Sequence, residues 1–95
     1  MIVTIARQVI KPGCLDAYHT LAKELVEESC EEAGSIGYRS VQAEDDPRVH
    51  LFIECWKDQN AIDYHVATEH FTRIVPQFQA MFDEAEVVTR YTLLA

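Results

Sequence analysis

Residues 2 to 10, IVTIARQVI, are apolar or β-branched at most positions and stop at Lys11-Pro12-Gly13, a turn that no ladder runs through, so they read as a first strand. From Leu15 the positions Leu15, Tyr18, Ala22, Leu25, Val26 and Ser29 recur at helical spacing, and Gly34 supplies a stop. Lys23, Glu24, Glu27, Glu28 and Glu31 fall elsewhere on this long amphipathic helix, and its acidic run is expected to be a solvated face. Gly37 to Glu44 can form a second strand, Asp45-Asp46-Pro47 a turn, and Val49 to Trp56 a third strand, the clearest in the chain. Asp58 is placed to cap a short helix carrying Ala61, Ile62, His65 and Val66. Thr68 is placed to cap a second one carrying Phe71, Ile74, Val75, Phe78 and Phe82, in which Pro76 should introduce a kink. Glu86 to Leu94 reads as a last strand.

The order strand, helix, strand, strand, helix, strand is the split βαβ arrangement: an α+β, ferredoxin-like subunit with a four-stranded antiparallel sheet and its helices on one face. Alternation in the third strand divides Val49, Leu51, Ile53 and Cys55 from His50, Phe52, Glu54 and Trp56. The aliphatic set suits the helices, which puts two large aromatics on the open face. The last strand is also apolar on both sides, with Val87 and Leu93 against Val88 and Leu94. A wetted face would alternate more cleanly, so the expected assembly is a homodimer with sheets packed face to face.

The 95 residues suffice for one domain, 1–95, with a single core that buries roughly two-thirds of the unfolded surface. A hydrophobic content of 48% with three Gly and three Pro argues against a disordered chain. Sixteen Asp and Glu against eight Lys and Arg give a net charge of −8, and no basic run exists. That sets aside nucleic-acid binding and attraction to an anionic membrane surface. The opening residues show neither a signal-peptide pattern nor a long apolar run, which points to the cytoplasm. Cys14, Cys30 and Cys55 are odd in number, and Cys14 and Cys30 at the two ends of one helix would lie about 24 Å apart, so three reduced thiols are expected.

The most suggestive stretch is Glu54-Cys55-Trp56-Lys57-Asp58, then Tyr64-His65, then Thr68-Glu69-His70-Phe71. On a continuous helix His65 and His70 would lie about 140° apart, so spacing alone indicates no metal site. A break near Ala67-Thr68 would bring them together, but no third ligand is indicated. His65 shares a helix face with Ile62 and Val66 and should point inward. There it is either a base titrating near neutral pH or a core histidine bonded to a carbonyl. Glu54 can polarise an imidazole or accept a substrate proton, or it can form an ion pair with Arg7 or Arg90 inside a dimer interface. His70, at a helix start, suits a capping or surface position as well as a ligand contact. His19 and His50 belong to no constellation. Cys55 reads as core, and phosphate loops, nucleophile elbows and nucleotide fingerprints are absent.

The run Glu54-Cys55-Trp56-Lys57-Asp58-Gln59-x-Ala61-x-x-x-His65-x-x-Thr68-x-His70-Phe71, with an opening strand ending in Lys-Pro-Gly, resembles the antibiotic biosynthesis monooxygenase domain and its small quinol monooxygenase-like members. The resemblance implies a dimeric α+β barrel and a ligand cavity between helices and sheet. It also implies a monooxygenase acting on a quinol or polyphenolic substrate with O2 and no metal or flavin cofactor. His65 would then be the base or ligand-orienting donor, and Glu54 and His70 would be further site residues. Haem-degrading relatives carry an asparagine, a tryptophan and a ligating histidine where this chain has Ala6, His65 and Val75, so their pattern is not met. Two other roles within reach of the fold are a non-catalytic domain for small aromatic ligands and an isomerase of small phosphorylated diones. The isomerase would need phosphate donors among Arg7, Arg39, Arg73 and Arg90.

Overall fold

The computed structural model describes residues 1–95. Strand β1 (Ile2–Val9) leads through a short 3-10 turn at Pro12–Cys14 into helix α1 (Leu15–Cys30). The chain continues through β2 (Ser35–Gln42), β3 (Val49–Trp56), α2 (Gln59–Val66), α3 (Glu69–Gln79) and β4 (Val87–Thr92). The strands form one antiparallel sheet in the order β2-β3-β1-β4, and the helices cover one face, which is the ferredoxin-like arrangement. The expected second strand is displaced by two residues, because pairing starts at Ser35 opposite Trp56 and a bulge skips Ile36. Both predicted caps form: Asp58 Oδ1 accepts from the Ala61 amide at 2.9 Å, and Thr68 Oγ1 accepts from the Phe71 amide at 3.3 Å. Helix α3 continues through Pro76 to Gln79. No helix is long and apolar enough to cross a membrane.

The sheet faces are the reverse of the expected ones. His50, Phe52, Glu54 and Trp56 point toward the helices, whereas Val49, Leu51, Ile53 and Cys55 lie on the open face; Phe52 is 2% exposed and Ile53 37%. The reason is packing volume. Phe52 is flanked across the ladders by the small Ala6 and Ser40, so its ring has room to reach Tyr18, Tyr38 and Phe78. Aromatic side chains span the gap between sheet and helices, and shorter aliphatic ones tile the other face. Leu25 of α1 and Ile74 and Phe78 of α3 close the core from above.

Candidate functional site

Between the helices and the centre of the sheet lies a cavity of about 250 Å³. Thr4, Ala6 and Gln8 of β1, Phe52, Glu54 and Trp56 of β3, and Val88 and Arg90 of β4 form its floor. Ile62, His65 and Val66 of α2 and Phe71, Val75 and Phe78 of α3 form its roof. A mostly apolar cavity, open on one side past Val66 and Val88, with a few polar groups on its walls, is a usual form of a small-molecule site.

His65 reaches this chamber because the Asp58 cap starts α2 at the right phase and Thr68 ends it. Thr68 Oγ1 donates to the His65 carbonyl at 2.7 Å while it caps α3, so one residue makes the bend between the two helices. The His65 ring packs against Trp56 at a centroid distance of 4.5 Å and edge-on to Phe71 at 5.0 Å. Its Nδ1 lies 2.7 Å from Glu32 Oε2. A carboxylate can only accept, so Nδ1 carries the proton and Nε2 holds a lone pair. That Nε2 is buried and has no hydrogen-bond partner in the protein. Burial lowers the affinity of the ring for a proton more than Glu32 raises it, and the nearby His70 lowers it further.

The bend also brings in His70, whose Nε2 lies 2.7 Å from the same Glu32 Oε2. His65 and His70 therefore converge as a break at Ala67-Thr68 would allow, on a third residue that the spacing of the histidines could not indicate. Glu32 lies just beyond α1, with its amide bonded to the Ser29 carbonyl at 3.2 Å. It extends the buried stripe Tyr18, Ala22, Leu25, Ser29 by one further three-residue step, a signal that was present but masked by the acidic run around it. Donor atoms of Glu32, His65 and His70 all lie within 4.8 Å of one another, a set able to face a divalent ion. Neighbouring ligands on tetrahedral zinc stand roughly 3.3 Å apart. The two 2.7 Å N···O distances are those of charge-assisted hydrogen bonds.

Glu54 enters the cavity floor from β3, and its Oε1 accepts from Trp56 Nε1 at 3.0 Å. Burial, reinforced by the charges of Glu86 and Glu32, pushes its pKa up to about 7 against the Trp56 bond. Within the single chain Glu54 pairs with neither Arg7 nor Arg90. Arg7 belongs to the open face and approaches Glu84 at 4.0 Å, while Arg90 donates to Gln59 Oε1 at 2.7 Å across the cavity rim. Sequence reasoning also missed a chain in which Tyr18 donates to Gln8 Oε1 at 2.6 Å and Gln8 Nε2 donates to Glu86 Oε2 at 2.5 Å, fixing the Gln8 amide on the cavity floor. His19 and His50, expected to stand alone, meet with their Nε2 atoms 3.1 Å apart at the far end of β3. Cys55 lies on the open sheet face, not in the helix-side core. All three cysteines are free.

An antiparallel sheet under three helices, with an aromatic cavity carrying an imidazole and a carboxyl between the layers, is a ferredoxin-like fold with a cavity between its layers. The chain belongs to the antibiotic biosynthesis monooxygenase family, whose model matches residues 1–77. A crystal structure described as an antibiotic biosynthesis monooxygenase is 37% identical, superposes with a TM-score of 0.94 and is covered completely, as is this chain. A conserved protein from Methanosarcina mazei is 30% identical with a TM-score of 0.91, over 95% of this chain and 89% of that one. The Synechocystis protein sll1783 is 31% identical over 74 residues, 78% of this chain; this chain matches only half of that protein's length.

Proposed function

We propose that the protein is a cofactor-independent monooxygenase that oxidises a quinol or polyphenolic ring with O2, and that His65 is its base. The observation that carries this reading is the unpartnered, buried Nε2 of a cavity-lining imidazole whose other nitrogen is held by Glu32. An electron-rich phenolate can itself reduce oxygen, so the protein's tasks are to bind the ring, remove its proton and exclude water. The overall reaction balances as quinol plus O2 giving hydroxyquinone plus water, with one oxygen atom entering the ring. Glu54, poised with a pKa of about 7 in the same cavity, suits a second proton-handling role at the distal oxygen. His70 does not line the cavity and acts through Glu32.

The dione isomerase is less well supported. Of the four candidate arginines only Arg90 lines the cavity, and Glu54 and Glu86 stand there with it. A homodimer is part of the proposal, supported by the apolar open face, where Val41, Ile53, Val87 and Tyr91 are exposed in the single chain. A cytoplasmic location is proposed on the three free thiols.

The test is oxygen uptake by metal-stripped protein over a panel of hydroquinones and naphthohydroquinones, corrected for autoxidation. Saturable uptake that falls by about a hundredfold or more in His65→Ala, with the fold retained, is the expected result. Ligand-induced thermal stabilisation without uptake would favour a binding domain, and dione turnover under argon would favour the isomerase.

A further inference from the structure

We propose that Glu32 makes His65 and His70 share a single proton, so that a proton taken from a ligand at His65 expels another from His70 to solvent on the outer side of the helices. The inference rests on the reading of His65 as the base and adds the route by which its proton load is discharged.

The three groups form a line with two different ends. His65 lines the inner cavity and His70 does not. His70 instead lines a separate open cleft with Tyr64, Ala67, Thr68 and Glu69. Between them stands one carboxylate oxygen, 2.7 Å from each ring, with side-chain exposures of 4% for His65, 4% for Glu32 and 12% for His70. With both rings neutral the cluster carries one negative charge, with both protonated one positive charge, and with one protonated none. Burial penalises either net charge, so one proton is held between the two rings. His70 is the better hydrated of the two rings.

Other ionisable groups face the cluster without interposing. Glu54 of β3 and Tyr38 of β2 lie on the cavity side of His65. Glu24 of α1 acts on His70 from outside, and Arg73 is bound to Glu24 and Glu69. When a ligand hydroxyl gives its proton to His65 Nε2, the ligand O–H bond breaks and an N–H bond forms. His70 becomes the superfluous cation and releases its Nδ1 proton to water. Glu32 stays a carboxylate, the cluster stays neutral and no electrons move. His65 thus becomes cationic without leaving net charge in the buried cluster beside the cavity.

Imidazole NMR titration tests this without any substrate. Replacing His70 by Gln, which keeps a donor for Glu32, is expected to raise the His65 midpoint by about one pH unit or more, and His65→Gln to leave His70 with a single-step curve, because the two rings no longer compete for one proton. In the wild type the two rings should show shared, two-step curves, a readout that needs no variant to fold. Independent single-step curves, or a His65 midpoint that moves by less than about 0.2 unit in His70→Gln, would overturn the proposal. Calorimetry under argon with 1,4-naphthohydroquinone, in buffers of different ionisation heat, adds the exchange itself. The wild type should release about one proton per ligand and His70→Gln none. Binding by the wild type without release overturns the exchange. If no quinol binds at all, it is the base assignment that fails, and the coupled titration still decides whether the proton is shared.

Discussion

Glu32 Oε2 lies 2.7 Å from His65 Nδ1, with both side chains 4% exposed, so a carboxylate just beyond α1 sets the tautomer of an imidazole on α2. This leaves Nε2 as a buried lone pair on a ring that lines the cavity, while Glu32 itself does not line it.

Glu32→Gln should therefore lower kcat by about a hundredfold while KM stays within a few-fold, since an amide can present its N–H to His65 and stabilise the wrong tautomer. Steady-state oxygen uptake separates the two constants. Equal kcat in the variant and the wild type would remove Glu32 from the mechanism.

Glu54 ties stability to pH with a definite sign. Its pKa is raised from 4.5 to about 7 in the folded chain, so its contribution to stability is full below about 4.5 and is lost as pH rises through about 7. Glu54→Gln should remove this loss. Between pH 5 and pH 8 the variant should gain roughly 2–3 kcal/mol on the wild type in urea unfolding. A difference that does not change with pH would show that Glu54 titrates normally.

Gly34 lies where the α1–β2 connection passes under α2, and a Cβ there would stand 2.3 Å from Ala61 Cβ. Gly34→Ala should destabilise by about 1–3 kcal/mol and displace the helix that carries His65. Adding Ala61→Gly should restore most of the loss, because the nearest remaining contact is the Ala61 Cα at 3.2 Å. Thermal melts of the single and double variants check this, and a double variant no better than Gly34→Ala would refute the contact.

The open sheet face predicts assembly. Ile53→Asp puts a charge at its centre and should convert a particle of twice 10.9 kDa into one of 10.9 kDa by sedimentation equilibrium. A wild-type chain that is already monomeric at micromolar concentration would exclude the sheet-to-sheet dimer.

Element order, both helix caps and the inward phase of His65 were legible because each depends on local chemistry: Asp58, Thr68 and the step from Ile62. Which face of β3 meets the helices was not. Hydropathy ranks Val49, Leu51 and Ile53 above His50 and Glu54, yet ring size decided the matter: Phe52 and Trp56 fill the deep interior while the aliphatic set tiles a face that is apolar for its own reasons. Glu32 was hidden by its acidic neighbours, although its step from Ser29 matched the buried stripe. The meeting of His19 with His50, 31 residues apart, is set by how α1 lies on the sheet and leaves no local pattern.

Deprotonation of the bound ring is the act assigned to His65, and rapid mixing under argon observes it without oxygen chemistry. A naphthohydroquinone mixed with the wild type should develop quinolate absorbance on binding near pH 7, and His65→Ala should bind it without that change. A ligand that stays protonated in the wild type, in protein that nevertheless consumes oxygen with it, would contradict His65 as the base.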